Sequence, residues 1–342
     1  MDVTEFGQNN SLQYCFPEFN SSCRKEVQTG PAYTLLFIVL SCVSVFTVFL
    51  NLLVIISISH FKQLHTPTNL LILSLAVADL LVGLFVMPVN IMKLIDTCWY
   101  LGDVGCSVYP VIHFVSGSSS LFSSVFIAVD RYIAVCDPLH YTTRITVCKT
   151  ALLIILGWSF CLFYVIIYLY FNEHLLQIQI STRCYGECVL VIKYSWLLVD
   201  LVVMFLVPCA IILTLYSIIF IVARRQGKAV RAVTTGASNK QEANVSIASS
   251  SDTKAAKKLG TVVFVYLACW IPFHITSLSV ESVTSLSIVW IAFGWLQLIN
   301  SSMNPLMYAI FYSWFRASTK YIVTGRIFEN SSSRFHLFPE NF

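Results

Sequence analysis

One carboxylate, Asp200, lies about two helical turns inside an otherwise apolar stretch, residues 194–222. A charge deep in a bilayer costs roughly 2.5–3.5 kcal/mol on insertion scales, so such a group usually faces the interior of a helix bundle or a wet cavity. A carboxylate between apolar walls is suited to one charge-assisted hydrogen bond with a small cation. The expected ligand chemistry therefore rests on Asp200.

Aromatic residues in other apolar stretches could complete a cation-binding site around this carboxylate. The candidates are His113, Trp270, Phe273, His274 and Trp295. If they enclose one cavity with Asp200, a small ammonium ion would gain cation–π contact in addition to its hydrogen bond. Two alternatives stay open here: Asp200 pairs internally with His113 or His274, or it faces lipid.

A second charged group lies on the same helix face as His113. Arg131 follows His113 by 18 residues, which is five helical turns and about 27 Å along the axis. The guanidinium keeps its charge, so within Asp130-Arg131-Tyr132 it needs the adjacent carboxylate or polar groups of a neighbouring helix. Such an ion pair could break when a cytosolic partner binds. The alternative is simple anchoring of one arginine at the cytosolic surface.

Small polar residues form another predicted cluster, from four apolar stretches. Its members are Asn51, Asp79, Ser120, Asn300, Ser301 and Asn304. One carboxylate with hydroxyl and amide oxygens predicts a site for a hard cation such as Na⁺, held with water. A water-filled hydrogen-bond network around a neutral Asp79 is an equally good interpretation.

Seven stretches that could position these groups are long enough to cross a hydrocarbon core of about 30 Å, which needs about 20 helical residues. They are Tyr33–Ser59, Asn69–Met92, Val104–Val129, Thr150–Tyr170, Tyr194–Val222, Leu259–Val280 and Ile288–Phe311. Of 342 residues, 57% are hydrophobic and 11% charged, which is too apolar for a soluble domain. We therefore predict an all-α fold, a seven-transmembrane helix bundle. Kinks are expected where prolines interrupt four of the stretches, at Pro88, Pro208, Pro272 and Pro305.

Lysine and arginine are unevenly distributed over the connecting segments. Five of the 21 lie on segments assigned to the outside, and the other sixteen lie on inside segments. Because cytosolic loops carry the excess of basic residues, we predict a multi-pass plasma-membrane protein with an extracellular N-terminus and a cytosolic C-terminus. The net charge of +4 reflects contact with inner-leaflet lipid and does not indicate a nucleic-acid partner.

The chain is expected to divide into three parts. These are an extracellular arm over residues 1–32, the seven-transmembrane domain over 33–315 and a cytosolic tail over 316–342. A flexible cytosolic loop is predicted at about residues 226–254, where small polar residues dominate. Asn-x-Ser sequons predict glycosylation of Asn9 and Asn20 on the arm.

Six of the twelve cysteines lie outside or at the outer boundary on this topology, where disulfides persist. They are Cys15, Cys23, Cys98, Cys106, Cys184 and Cys188. Six cysteines allow fifteen pairings, so their spacing alone leaves the connectivity open.

Motifs in all seven stretches, in order along the chain, resemble those of rhodopsin-like (class A) G-protein-coupled receptors. The matching residues are Asn51, Asp79, Cys106, Asp130-Arg131-Tyr132, Trp158, Pro208 with Tyr216, Cys269-Trp270-Ile271-Pro272 and Asn304-Pro305-Leu306-Met307-Tyr308. The resemblance covers nearly the full chain. It implies a switch between resting and G-protein-bound states at Asp130, Arg131, Tyr132, Tyr216, Asn304, Pro305 and Tyr308.

Within that class the chain resembles the trace-amine-associated receptors. The seventh-stretch signature is matched at Asn300, Ser301, Asn304, Pro305, Tyr308, Tyr312, Trp314 and Phe315. This resemblance implies a volatile or biogenic amine as ligand, a heterotrimeric stimulatory G protein as partner, a rise in cyclic AMP and a role in olfaction. It also implies disulfides Cys106–Cys188 and Cys184–Cys23, the latter in preference to Cys15. A short amphipathic helix should begin at Trp314-Phe315-Arg316.

Three positions depart from the usual amine-receptor pattern. His113 stands where these receptors usually carry the aspartate that anchors the ammonium, Leu298 replaces its supporting tyrosine, and Tyr266 replaces a usual phenylalanine. Some members of the family, notably among fishes, carry the aspartate in the fifth span instead, as at Asp200. The resemblance then implies an inverted pose, with the ammonium toward the fifth span and the hydrocarbon toward the third and seventh.

Other functional classes fit the residues less well. An ion-coupled transporter or proton-relay membrane protein could use Asp79 and Asp200, but inverted repeats and broken helix pairs, which transporters commonly have, are not evident. No zinc motif or convincing group of nucleophile, base and orienting residue predicts an enzyme. No cofactor is expected apart from a structural Na⁺ at Asp79, Ser120, Asn300 and Ser301.

Overall fold

The computed structural model is all-helical and describes most of the chain. The described residues are 13–28, 30–174, 184–234, 261, 264–278, 288–329, 332–334 and 337. Asn9 and residues 235–254 of the predicted cytosolic loop lie outside them. In the described part, extended backbone is limited to isolated bridges such as that between Val27 and Asp96.

Within the described part of the chain, seven helical spans form the bundle. Their bounds are Pro31–His60, Pro67–Ile95, Gly102–Cys136, Val147–Phe171, Tyr194–Gln226, Phe264–Leu278 and Ile288–Phe311. The first five are each long and apolar enough to cross a membrane, and the sixth is shorter over its described residues. The all-α prediction is confirmed. The third span is longer at both ends than the predicted 104–129, because its polar inner residues continue the same helix.

The helix starts follow from local residue types. Pro67 occupies the first turn of the second span, where a missing N–H costs nothing, and Thr66 before it accepts a hydrogen bond from the Asn69 N–H at 3.3 Å. Thr146 caps the fourth span in the same way, accepting from the Lys149 N–H at 3.4 Å. These caps fix where the inner loops turn back into the bundle.

Two of the predicted proline interruptions coincide with wide helical turns. Five-residue π-helical segments, Val82–Val86 and Val202–Leu206, come shortly before Pro88 and Pro208. Proline cannot donate a backbone hydrogen bond and its ring crowds the preceding turn, so a wider turn there relieves the clash. Pro305 lies inside the continuous seventh helix. Both π turns lie in spans that line the central cavity.

The third and fourth spans approach each other closely at Gly157. A Cβ placed on this residue would lie 1.9 Å from the Phe122 ring, so only glycine allows this approach. Away from this contact, the fourth span exposes large apolar side chains such as Ile155 and Phe163. One face of this span therefore packs against the bundle and the other is an exposed apolar surface.

Three disulfides join the outer ends of the spans and the N-terminal arm. Cys106–Cys188 and Cys23–Cys184 are the pairs that the family resemblance implies, and Cys15–Cys98 is a third that the sequence analysis did not resolve. Asn20 lies exposed on the arm between its two bonded cysteines. The arm is thereby fastened to both the first and the second outer loop.

A charged group next to these disulfides adds to the fastening. Asp96 accepts a hydrogen bond from the Tyr100 hydroxyl at 2.6 Å, and its carboxylate lies 3.4 Å from Lys25 Nζ on the arm. Partial burial opposes ionisation of Asp96, but the hydrogen bonds from Tyr100 and from the Cys98 N–H, with the charge of Lys25, outweigh it and lower its pKa. The Lys25–Asp96 ion pair therefore holds the arm in addition to the disulfides.

At the inner end, helix continues beyond the fifth span, and a further short helix follows the seventh. The fifth helix continues to Thr234, so the predicted flexible loop does not begin at residue 226; basic and small helix-compatible residues continue the same helical turn. The C-terminal helix spans Ser313–Val323, which agrees within a residue with the predicted start at Trp314-Phe315-Arg316. Arg316 donates to the Ala309 and Ile310 carbonyls at 3.0 and 3.1 Å, which caps the end of the seventh span.

Candidate ligand-binding site

A cavity of about 90 Å³ lies between the second to seventh spans. Its polar or aromatic walls include His113, Phe114, Ser120, Tyr164, Tyr168, Asp200, Trp270, Phe273, His274, Gln297, Asn300 and Ser301. The remaining wall is mainly aliphatic, with Val82, Val86 and Leu298 among its residues. Since a water molecule needs a cavity volume of at least about 10–15 Å³, this cavity can hold several waters or one small organic ligand.

Asp200 lies in the wall of this cavity, on the fifth span. Its carboxylate accepts a long hydrogen bond of 3.4 Å from the Tyr164 hydroxyl of the fourth span. Among the described residues it forms no ion pair, so the internal pairing with His113 or His274 is not observed. The lipid-facing alternative is also not observed, because the side chain lines the interior cavity. Asp200 is thus an almost unneutralised acceptor inside the bundle.

Aromatic rings of the sixth span form one side of the cavity. Trp270 and His274 lie nearly parallel, with ring centroids 5.9 Å apart and an interplanar angle of 19°. Phe205 of the fifth span stacks on His274 at 4.3 Å, and Phe273 meets the same ring edge-on at 5.5 Å. Helical spacing explains the stack, because residues four apart share one face. The structure brings all three predicted sixth-span residues to this wall.

His113 lies on the third-span wall within a small polar network. Its Nδ1 is 3.4 Å from the Tyr109 hydroxyl, one helical turn nearer the outer surface. That hydroxyl accepts a hydrogen bond of 2.8 Å from Asn90 of the second span. Lys93 Nζ lies 4.6 Å from the centre of the Tyr109 ring and 5.2 Å from the centre of the Trp99 ring. The third-span wall therefore carries a positive charge close behind it.

Trp295 does not line the cavity, contrary to the sequence-based expectation. It is 7% exposed and packs with Leu40, Val86 and Met87 of the first two spans. One turn further in, Leu298 reaches the cavity instead. Because of the rotation of the seventh helix, the Trp295 indole packs against the first two spans and helps to hold their outer ends together.

Asp79 forms a buried polar cluster beside the inner end of the cavity. It is fully buried and accepts hydrogen bonds from the Ser120 hydroxyl at 3.0 Å and from Asn304 Nδ2 at 2.7 Å. Ser120, Asn300 and Ser301 also line the cavity, so cavity and cluster are adjacent.

The Asn51 amide closes the other side of this cluster. Its Nδ2 donates to the Thr47 carbonyl at 2.9 Å and to the Ser301 carbonyl at 3.1 Å. Its buried Oδ1 has no hydrogen-bond partner. A carboxylate with hydroxyl oxygens and an unpartnered amide oxygen are oxygen ligands of the type that hard cations bind.

The predicted ion pair at the inner end of the third span is formed. Arg131 Nε lies 3.0 Å from Asp130 Oδ2, and Thr68 and Tyr141 each donate to the Asp130 carboxylate at 2.7 Å. Arg131 also contacts the Thr68 hydroxyl. Asp130 is only 3% exposed, so its charge depends on these partners. Residues of the second span and of the short helix Pro138–Arg144 therefore hold the pair closed.

The other predicted switch residues lie in the same inner half. Tyr216 of the fifth span packs near Ala128 and Ile212. Tyr308 of the seventh is buried in the inner core, with its ring 5.7 Å from that of Tyr312. The neighbouring Tyr132 is only partly buried. None of the three tyrosines Tyr132, Tyr216 and Tyr308 is hydrogen-bonded to Arg131 in this conformation.

Sequence reasoning missed several residues of the site. They are Asn90, Lys93, Tyr109, Tyr164, Tyr168 and Gln297. The tyrosines of the fourth span resemble membrane-interface aromatic residues in sequence, and only helix rotation distinguishes cavity-facing from lipid-facing rings. Tyr109 and His113, four residues apart, share one helix face, and that spacing could have identified the network.

Comparison with known proteins assigns this architecture. Residues 50–308 match the family described as 7 transmembrane receptor (rhodopsin family). The chain is 41% identical to trace amine-associated receptor 13c of Danio rerio over 332 residues, which is 95% of this chain and 96% of that relative. It is 38% identical to trace amine-associated receptor 6 of Pan troglodytes, covering 97% of each. It is 35% identical to trace amine-associated receptor 4 of Mus musculus, covering 99% of each.

Proposed function

Because the chain belongs to the trace amine-associated receptors of the rhodopsin family, we propose that it is a receptor for small amines whose ammonium group binds Asp200. The observation that carries this proposal is the position of Asp200 in the cavity wall with only one long hydrogen bond, from Tyr164. An ammonium ion would neutralise this carboxylate and form a charge-assisted hydrogen bond. The family is a receptor class, so no enzymatic activity is expected, and the transporter alternative is without support.

The site chemistry favours the inverted pose for the amine. At the third-span position the side chain is the imidazole of His113, which carries no negative charge to pair with an ammonium ion. The ammonium is therefore directed to Asp200 on the fifth span. Trp270, Phe273 and His274 supply aromatic surface that can contact the ligand. A cavity of about 90 Å³ limits the ligand to a small molecule.

We extend the proposal to signalling across the membrane. Binding at the outer cavity would favour a rearrangement that opens the Asp130–Arg131 pair, and Arg131 would then contact a stimulatory G protein, raising cyclic AMP. The exposed Arg224 and Arg225, at the inner end of the fifth span, would add basic contacts with that partner. This requires an extracellular N-terminus and a cytosolic C-terminus, in agreement with the distribution of basic residues. A role in olfaction belongs to the same proposal.

A sodium ion is proposed at the Asp79 cluster. Asp79, Ser120 and Ser301 would hold it, with Asn300 and Asn51 nearby and water completing the shell. The unpartnered Oδ1 of Asn51 supports an additional polar ligand in this region. The ion would favour the arrangement of the seventh span seen here, in which Asn304 contacts Asp79.

Substitution of Asp200 tests the receptor proposal. In cells carrying the full-length receptor, Asp200→Asn should abolish amine-evoked cyclic AMP, because the amide keeps the size and loses the charge. Asp200→Glu is the matched control and should keep a weakened response. Surface expression is measured in parallel. An unchanged amine response in Asp200→Asn, at equal expression, would refute the anchor.

A further inference from the structure

The third-span wall opposite the proposed ammonium anchor offers a second polar contact, His113. An imidazole that is not charged has one donor nitrogen and one acceptor nitrogen. Which nitrogen carries the proton depends on the hydrogen bond made by the other. The network behind His113 decides this, and with it the chemistry that a ligand meets.

The network begins at the Asn90 amide, whose orientation is set by its surroundings. Nδ2 lies 2.8 Å from the Val86 carbonyl oxygen, which can only accept a hydrogen bond. It also lies 2.8 Å from the Tyr109 hydroxyl oxygen. Both protons of this amide nitrogen are therefore used, and the Tyr109 oxygen accepts one of them.

The Tyr109 hydroxyl must direct its own proton elsewhere. Within the described part of the chain, its other hydrogen-bond contact is Nδ1 of His113, at 3.4 Å. A half-buried hydroxyl that accepts from Asn90 completes its bonding by donating to this nitrogen. Nδ1 is then the acceptor, and the proton of the imidazole lies on Nε2. The nitrogen left for a ligand is thus a hydrogen-bond donor.

Lys93 adds a positive charge behind this wall. Its ammonium group lies over the Tyr109 ring at 4.6 Å, and no carboxylate among the described residues pairs with it. Like charges repel, so this ammonium disfavours a second ammonium of a ligand near His113. A ligand carboxylate would gain one hydrogen bond here but would leave its other lone pairs against aliphatic walls, which is costly.

We infer, resting on the amine-receptor function proposed above, that the preferred ligand is a monoamine carrying a neutral oxygen acceptor at its far end. Its ammonium binds Asp200, and its hydroxyl or ether oxygen accepts from Nε2–H of His113. His113 is then a specificity-determining residue. Tyr109 and Asn90 are positioning residues, because they act through its tautomer.

Three matched ligand series test this inference on the full-length receptor. The probes are n-alkylamines, ω-amino alcohols and α,ω-diamines, each from three to six carbons, assayed by cyclic AMP and by competition binding. At the best chain length, the amino alcohol should be about tenfold more potent than the alkylamine, as expected for one good hydrogen bond. The diamine should be the weakest of the three.

Variants of the network distinguish a specific hydrogen bond from general packing. His113→Phe should reverse the order of alkylamine and amino alcohol, because a hydroxyl without a partner is costly to bury. His113→Gln, which keeps an N–H near the Nε2 position, should restore the amino-alcohol preference. Tyr109→Phe should reduce that preference by about threefold without changing alkylamine potency.

Each failure has a separate meaning. Asp200→Asn must abolish the response to all three series. If it does so, but the wild type prefers the alkylamine or the diamine at every length, the ligand does not need an oxygen acceptor. The inference is then wrong, while the amine anchor at Asp200 stands. An amino-alcohol preference that persists in His113→Phe also overturns the inference. If wild type ignores all three series, or Asp200→Asn responds normally, the proposed amine-receptor function itself fails.

Discussion

The inner and outer halves of the bundle satisfy their charged groups in different ways. At the inner end, Asp130 pairs with Arg131 and accepts hydrogen bonds from Thr68 and Tyr141. In the outer half, Asp200 has one long hydrogen bond from Tyr164. The inner charges are thus bound to each other and must be released for a partner to use them. The outer charge has no ionic partner among the described residues, so under the proposed function the two halves would correspond to a closed switch and an open ligand site.

A second contrast lies in what fastens each half. The outer ends are joined by three disulfides, whereas the inner ends are held by side-chain hydrogen bonds and by the apolar cluster around Phe61, Tyr308 and Phe315. Covalent bonds cannot be exchanged during signalling, but hydrogen bonds and packing can. Under the proposed function, the rearrangement on signalling would therefore occur at the inner end.

Adding a second negative charge to the outer cavity should have the largest effect. His113→Asp creates a second carboxylate opposite Asp200, which should admit α,ω-diamines and improve their potency about 100-fold, as expected for a desolvated charge pair. His113→Asn is the control, because asparagine has the same size as aspartate and carries no charge. Dose–response curves for diamines check this, and equal curves for the two variants would place residue 113 outside the ligand site.

Removing the charge that closes the inner half should have the next largest effect. Asp130→Asn should raise basal cyclic AMP about tenfold, because the resting state loses the ion pair with Arg131. Asp137→Asn is the matched control, since Asp137 lies nearby and is more exposed, with an ion pair to Arg144 and a hydrogen bond to His140. The measurement is ligand-free signalling at equal surface expression. A basal level unchanged by Asp130→Asn would contradict the description of a closed switch.

Loss of the hydroxyl next to the open charge should have a smaller effect. Tyr164→Phe removes the hydrogen bond of 3.4 Å to Asp200. The substitution should lower amine affinity about fivefold, because this bond orients the carboxylate. Tyr168→Phe, in the same cavity wall but not hydrogen-bonded to Asp200, should change it less. Competition binding compares the two. Equal effects would mean that Tyr164 contributes only its ring.

The smallest expected effect concerns the Asp79 cluster between the two halves. Replacing choline by Na⁺ at constant ionic strength should lower agonist affinity about threefold in wild type, because the ion stabilises the resting arrangement. Asp79→Asn should remove this dependence, since it removes the only carboxylate found in the described cluster. Sodium sensitivity that survives in Asp79→Asn would locate the ion elsewhere.

Much of the fold could be predicted from apolar length alone, because a span must cover a fixed membrane thickness. The seven spans follow from this, but the polar inner ends of the third and fifth helices do not. Apolar length does not determine how each helix is rotated about its axis. For that reason the sequence predicts Trp295 in the cavity, although its side chain packs between spans. The third disulfide, Cys15–Cys98, was not predicted, although it joins the two outer cysteines that remain once the two implied pairs have formed.

The candidate site was predictable where charge made it conspicuous. Asp200 could be identified because a carboxylate in an apolar span needs a reason to be there. Asn90, Tyr109 and Tyr164 gave no comparable signal, because amides and tyrosines are tolerated at many membrane positions. Their role depends on which hydrogen bonds they make, and those depend on helix packing.

The most direct test of the central claim is a binding cycle between the charge of the ligand and the charge of Asp200. Affinities of an n-alkylamine and of the alcohol of equal length are measured in wild type and in Asp200→Asn. The account predicts that the substitution weakens the amine by about 100-fold and leaves the alcohol within about threefold, as for a desolvated charge pair. Equal losses for the two ligands would show that Asp200 supports the fold of the cavity and does not bind the ammonium.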